Sequence, residues 1–470
     1  MSAIAKLIEC IGSSFIFWAA WIIIPIIMEI VPALGSCLLL ARHRRRVRRL
    51  KSSEHELPVE PAVTLLVPVY NSADTLEACI DSIAEGTYPV ASIQLYLINN
   101  NSKDDSFGVY ARCQEKHPEL VMQWMDAAQG KSRALNLGLF NSRAKYIVHI
   151  DSDGTLEPHA LENLIARFEA DPKMDVATGA ILTRPDLVEG YRAGPSRLFR
   201  RLEFVEYAQA FLAGRNFASE INYVYTLSGA FTAFRSNAVM TSWLYNTDTI
   251  CEDTQITFQM RYRHHERLHV CEDAIFFVDP IESVDKLYTQ RQRWQRGSLE
   301  VAHMFDPEEL SLRHAFDDVN VNTLLYDHTF AFPRMIWYIA LICLLAIGYS
   351  GAAVIGAVLA IYVLYVLCGY LYFAAVVSFL GPFSTLRRYY ARQWWVVPLM
   401  PFSNLAVFFI RLAGIVNSIG TDSAWKTATL TEEKRAFVET VSKDFSRPLG
   451  AIRRLRACVN DDSKEVDDDI

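Results

Sequence analysis

Four long apolar stretches set the first limit on how this chain folds. Residues 11–40, 331–350, 351–380 and 395–420 are nearly free of charge. Each approaches or exceeds the ~20 residues a helix needs to cross the hydrocarbon core of a bilayer. One such stretch is as readily the core helix of a soluble domain, but four in one chain point to an integral membrane protein. The first contains a single charge, Glu29, and is followed at once by "RHRRRVRRLK" (42–51), with six arginines and one lysine. A cleavable leader has the reverse order, basic residues first and apolar core second. Basic segments flanking spans stay on the cytoplasmic side, which places this run and the later "LRRYYARQ" (386–393) inside the cell.

The expected organisation follows from that asymmetry. An N-terminal transmembrane helix occupies 11–41 and a basic cytoplasmic linker 42–59. A cytoplasmic domain fills 60–300, with interfacial helices to about 330. C-terminal transmembrane segments occupy 331–420, and a polar tail, 421–470, follows. Pro398, Pro401 and Arg411 leave open whether the last apolar stretch crosses or re-enters. The net charge of −7 conceals a basic run near one end and "DDSKEVDDDI", with six acids against Lys464, at the other. Such an acidic end has the composition of a disordered segment. Nine cysteines are scattered without a CxxC pair, so neither a disulfide framework nor a zinc site is indicated. The expected location is the plasma membrane, multi-pass, with membrane lipids as partners and no nucleic acid.

Within 60–300, apolar strands alternate with helical segments. "VTLLVPVY" (63–70), "IQLYLIN" (93–99) and "KYIVHID" (145–151) read as strands; "SADTLEACIDSIAE" (72–85) and "KSRALNLGLFNS" (131–142) read as helices. This alternation predicts an α/β domain on a mostly parallel sheet with flanking helices. Ligands of such sheets sit at the carboxyl ends of the strands. Asn71, Asn99–Asn101 and Asp151–Asp153 fall there. Asn and Asp also favour turns for purely local reasons, but three polar clusters at three strand ends favour a shared site.

"HIDSDGTL" (149–156) has two readings. An apolar strand ending in DxDGT opens the haloacid-dehalogenase-type phosphatases, with Asp151 as nucleophile. Alternatively, Asp151 and Asp153 form the DxD pair that binds a metal and a nucleotide diphosphate. The phosphatase needs a second aspartate pair after a later strand, whereas "FDDVN" (316–320) follows no strand. A calcium loop needs a glycine where Leu156 stands. The triplet His264, His265 and His269 reads as a basic helix end leading into a strand rather than a metal site.

The second reading finds partners along the chain. "PVYN" (68–71), "QGKSRALN" (129–136), "DSD" (151–153), "SGAFTAFR" (228–235), "CED" (251–253) and "QRQRW" (290–294) occur in that order. Together they resemble glycosyltransferase family 2, and within it the membrane-embedded processive synthases of cellulose, chitin, hyaluronan and poly-N-acetylglucosamine. "QWMDAAQGKSRALN" and "YIVHIDSDG" are also similar to the Gram-positive family 2 transferases associated with exosortase G. The resemblance implies a GT-A (nucleotide-diphospho-sugar transferase) fold and a UDP-sugar donor. It implies Mg²⁺ or Mn²⁺, with Asp151 towards the ribose and Asp153 towards the metal. Pro68, Tyr70, Asn99, Lys131 and Asp151 would line the donor, Lys131 meeting the diphosphate and Tyr70 the uracil.

The same resemblance makes Asp253 the base that deprotonates the acceptor in an inverting transfer. Gln290, Arg293 and Trp294 become the acceptor end, where an indole face suits a sugar. Two departures stand out. Cys251 replaces the family's Thr before Glu-Asp, and Asn99 replaces the Asp that accepts the uracil N3–H. The expected activity is addition of sugar to a growing polysaccharide, coupled to its export, with export or accessory membrane proteins as possible partners. The alternatives are single-sugar transfer to a lipid phosphate carrier and a non-enzymatic transporter component. Against the transporter, one apolar segment before the domain and three after it lack the repeated halves of such folds.

Overall fold

The computed structural model describes residues 26, 30–52, 62–191, 193–305, 331–348, 350–420 and 429–435. The chain divides into two units, one of residues 1–280 with 297–409 and the other of residues 281–296 with 410–470. The larger unit is built on an eight-stranded sheet. Its strands are β1 (Val63–Val69), β2 (Ile93–Asn99), β3 (Val121–Asp126), β4 (Tyr146–Ile150), β5 (Gly154–Leu156), β6 (Val176–Thr183), β7 (Phe231–Arg235) and β8 (Leu268–Val278). Their order is β3-β2-β1-β4-β7-β6-β8-β5.

The first half of that order is the parallel α/β sheet that the sequence pattern predicts: β3, β2, β1 and β4 are mutually parallel. All seven residues of β1 and all five of β4 are buried, as befits central strands covered on both faces. The second half is mixed. β7 runs antiparallel between β4 and β6, and β5 pairs antiparallel with β8. Pro68 is tolerated inside β1 because β4 pairs only as far as Leu66, so the missing N–H falls where one neighbour has ended.

The glycine of "DSDG" has a packing reason. Gly154 opens β5 opposite Val278, and a Cβ there would lie 2.5 Å from the Phe277 carbonyl oxygen and 2.4 Å from the Phe276 ring. This close pairing, rather than phosphatase chemistry, accounts for the DxDG pattern.

Among the described residues, two apolar helices are long enough to cross a membrane, Gly351–Phe379 and the segment Trp394–Ala413. The first exposes Ile355, Leu359, Val363 and Leu367 along its length. The second opens as a 3-10 turn containing Pro398 and continues as the α-helix Met400–Gly420. The described helix Ala331–Ala346 has 16 residues, short of the ~20 expected of a span. Of the expected N-terminal span 11–41, only residues 26 and 30 onwards are described, and the surface helices expected from 306 to 330 lie outside the described residues. The basic run is the second half of a helix, Val31–Ser52.

That helix is joined to the sheet by charge and by apolar packing. His43 Nδ1 lies 2.7 Å from Glu220 and its Nε2 3.3 Å from Glu272 on β8. Arg167 bridges Glu272 and Asp273. Burial alone would lower the His43 pKa, but Glu272 and Glu220 outweigh it and raise it. Leu40 shares one core with Leu182, Phe204, Ile275, Val376 and Tyr390.

Gly154→Ala tests the β5–β8 approach. The methyl group must displace backbone, a cost of about 1–3 kcal/mol. It should appear as a lower unfolding midpoint when detergent-solubilised protein is melted under tryptophan fluorescence.

Candidate active site

The carboxyl ends of β1, β2 and β4 converge, and side chains from each secure the others. Asn71 and Asn101, which follow β1 and β2, adopt positive φ of 50° and 62°, a conformation Asn accepts more readily than most residues. Asn71 Oδ1 accepts from the Lys103 amide at 2.7 Å. Ser72, after β1, meets Ser152 of the aspartate loop, Oγ to Oγ, at 2.7 Å. Asn100 Oδ1 accepts from the Gly130 amide at 2.5 Å. Gly130 has φ 134° and launches the helix Lys131–Asn141, so Asn100 fixes the turn that aims Lys131.

Lys131 is the centre of the cluster. Its Nζ lies 2.6 Å from Asp151 Oδ1 and 3.2 Å from Glu252 Oε1, and it donates to the Gly229 carbonyl at 3.0 Å. Burial opposes its charge, but Asp151 and Glu252 outweigh burial and hold the pKa far above the ordinary lysine range. Asp253 follows Glu252 at the start of the helix Glu252–Phe258. Its Oδ2 faces Gly229 so closely that a Cβ there would lie 3.0 Å away. Burial, then the charge of Glu252, raises the Asp253 pKa to about 6.

Asp153 reaches solvent, yet the protein around it disfavours its charge. With the Asp151 carboxylate nearby, its pKa rises to about 6. Two close carboxylates, one of them reluctant to ionise unaided, are what a divalent cation would complement. Among the described residues no cluster of three or more His, Cys, Asp or Glu could hold a metal. The donor set fits Mg²⁺ or Mn²⁺ in the mode where one or two carboxylates and substrate phosphates share the ion.

Other side chains contribute to which the motifs assign no role. His149 on β4 donates through Nε2 to Gly229 O at 3.1 Å and accepts at Nδ1 from the Tyr245 hydroxyl at 2.7 Å. Burial, then the charge of Lys131, lowers its pKa to about 3, so it stays neutral and braces the carbonyl that also holds Lys131. Arg215 places a positive charge near Asp253, and burial pulls the Arg215 pKa down to about 10. Its Nη1 is buried without a hydrogen-bond partner among the described residues. Buried charges separated by scores of residues leave no local periodicity to read.

The Asn99 departure has a neighbour that restores charge. Asn99 Nδ2 donates to Asp126 Oδ1 at 2.8 Å, while its Oδ1 accepts from the Ser102 amide at 2.9 Å. Asp126 is its register partner on β3, so a carboxylate stands one strand further out. Tyr70 follows β1 and is exposed. Gln290, Arg293 and Trp294 lie on the helix Val284–Phe305, within the smaller unit. There Arg291 stacks over the Trp294 ring at 4.7 Å. Asn417 bridges Gln292 and Glu433, at 3.3 and 2.9 Å, and Thr431 meets Asp285 at 2.7 Å. Part of the polar tail therefore docks on this helix.

A parallel half-sheet thus brings a DxD pair, a half-buried ammonium and a second acidic pair together at its carboxyl edge. This is the GT-A class of glycosyltransferase fold. Residues 64–237 match the family described as Glycosyl transferase family 2. The poly-beta-1,6-N-acetyl-D-glucosamine synthase of Staphylococcus aureus (strain MSSA476) is 25% identical over 281 residues, 59% of this chain and 64% of that protein. The synthase of Staphylococcus epidermidis is 24% identical over 277 residues, with the same coverage. The chain thus spans just under two thirds of the length of these curated relatives. Among solved structures, a mannosyltransferase from Pyrobaculum calidifontis, in complex with GDP-Man and Mn²⁺, shares the fold. It has a TM-score of 0.52 at 17% identity and covers 87% of this chain and 98% of its own.

Cys251, the second departure, has a steric counterpart in Gly297. A Cβ on Gly297 would lie 2.1 Å from Cys251 Sγ and 2.9 Å from its Cβ. Gly297→Ala should therefore displace the residue before Glu252 and Asp253 and lower turnover about ten-fold, a shift of the reacting groups by a fraction of an ångström being enough. Adding Cys251→Ala should restore most of it. Initial rates of nucleotide release for the single and double variants check this.

Proposed function

We propose that the protein is an inverting, membrane-bound synthase that transfers sugar from a UDP-sugar to a growing polysaccharide, coupled to its export. The observation that carries this reading is the Asp151–Lys131–Glu252 cluster with Asp253 beside it. A donor diphosphate would draw the Lys131 ammonium away from Asp151, and Asp151 and Asp153 would hold the cation. That cation supplies Lewis-acid stabilisation of charge on the departing UDP. Asp253 takes the proton from the attacking acceptor hydroxyl, a role that its raised pKa suits. Gln290, Arg293 and Trp294 bind the acceptor, and the apolar helices carry the product across the plasma membrane, with the catalytic domain cytoplasmic. Asp126, next to Asn99, supplies the negative charge on the uracil side. The named activity of the staphylococcal relatives supports a polymeric product; single-sugar transfer to a lipid phosphate is the alternative.

Three measurements test the assignment. Asp253→Asn should abolish sugar transfer while leaving UDP binding within about two-fold, because the base acts on the acceptor. In the wild type the rate should fall about ten-fold per pH unit below pH 6, where Asp253 protonates, and level off above it. Glu252→Gln removes a neighbouring negative charge, lowers the Asp253 pKa and shifts that acid limb to lower pH.

Asp153→Ala should abolish the Mg²⁺ or Mn²⁺ dependence of donor binding, measured by titrating UDP with and without metal. Release of phosphate from simple monoesters, lost in Asp151→Asn, would instead revive phosphatase chemistry.

Trp294→Ala should shorten the polymer, since loss of a stacked aromatic costs roughly 1 kcal/mol, while slow hydrolysis of UDP-sugar persists. Product sizing after incubation with a panel of radiolabelled UDP-sugars reads both. Equal single-sugar transfer to lipid phosphate by wild type and variant would overturn the synthase reading.

A further inference from the structure

Where the apolar helix Gly351–Phe379 ends, it, the basic helix Val31–Ser52 and the short helix Ser384–Ala391 border an open cavity of about 500 Å³. The helices touch nearby through Ser36 and Tyr372, whose hydroxyls lie 3.3 Å apart. Arg44 and Arg387 line the cavity with Ser378 and Gly381, and Ala374 and Val377 form its apolar wall. No carboxylate is among the described residues that line it. A helix carboxyl end carries about half a negative charge, which two guanidinium charges exceed. Two of its last carbonyls, of Val376 and Ser378, are already satisfied by the Leu380 and Gly381 amides. The cavity therefore favours an anion, and planar guanidinium forks match phosphate oxygens.

Gly381 keeps the space open. A Cβ there would lie 2.6 Å from Arg44 Nη2, so any larger residue would push that guanidinium aside. The cavity also sits at the end of a helix whose apolar side chains point outward along its length, which is the headgroup level of a bilayer.

We propose that this cavity holds the phosphate of an anionic phospholipid, clasped by Arg44 and Arg387, with the upper part of the lipid against Ala374 and Val377. Free phosphate shares the recognising chemistry, but the apolar wall and the position at the helix end favour the lipid. The inference rests on the reading of the chain as a membrane protein and is independent of the sugar it transfers.

The test uses the full chain in detergent with equal amounts of phosphatidylglycerol and phosphatidylcholine, and native mass spectrometry to count retained lipid. Wild type should retain one phosphatidylglycerol in preference to phosphatidylcholine. The preference should fall roughly five-fold for each of Arg44→Gln and Arg387→Gln, and it should vanish in the pair. Gly381→Ala keeps every charge and should weaken the preference several-fold, so the outcome does not depend on recovering the double variant. Arg42→Gln with Arg45→Gln, exposed on the same basic helix and outside the cavity, should leave it unchanged. An unchanged preference in the cavity variants, or an equal loss in the Arg42 and Arg45 pair, overturns the proposal. Displacement of the lipid by an excess of inorganic phosphate makes the site one for a free anion and overturns it too. Nucleotide release is measured on the same samples. Lipid preference without it counts against the glycosyl-transfer reading alone, and nucleotide release without lipid preference counts against the cavity alone.

Discussion

The pairing of the half-buried Lys131 ammonium is the constraint on which the rest of the site depends. A charge partly withdrawn from water is tolerated when opposite charges and hydrogen bonds surround it, and here they come from four places in the chain. Asp151 follows β4, Glu252 opens a helix, Gly229 offers its carbonyl, and His149 with Tyr245 fixes that carbonyl from behind. Each partner is held by an element that must arrive at the same point, so the electrostatics and the strand order specify each other.

A second ionic arrangement joins β8 to the basic helix. Arg167 and His43 outweigh burial and hold the Glu272 carboxyl down to about 2. Near its other end β8 pairs with β5, next to Asp153. One strand therefore touches both the DxD loop and the helix that the arginine run occupies. The apolar core shared by Leu40, Phe204, Val376 and Tyr390 closes the same face.

Much of this was legible in the sequence because it is local. The strands read at 63–70, 93–99 and 145–151 and the helix read from Lys131 follow from alternation, and the polar strand ends mark where ligands collect. The antiparallel half of the sheet was not legible. β7 enters between β4 and β6 from far along the chain, and no periodicity reports a neighbour about 80 residues away. The same holds for His149 and Arg215, whose surroundings are tertiary, and for Asp126, which stands beside Asn99 only through the β2–β3 register. Gly154 illustrates how a short motif misleads: its glycine answers to a strand pairing, while the phosphatase signature it mimics answers to chemistry.

The basic helix also bears on how the sheet domain could ever be handled alone. Cutting the chain in the region of residues 53–61 to release a water-soluble fragment would remove His43 from between Glu220 and Glu272, leaving two carboxylates facing an empty slot. It would also strip Leu40 from a surface that includes Leu182, Phe204 and Ile275, and removal of the later apolar helices would bare the remainder. Such a fragment would present a broad oily face beside unbalanced acid, the surface of an aggregating protein. The basic helix and the apolar helices are in that sense part of the protein's core.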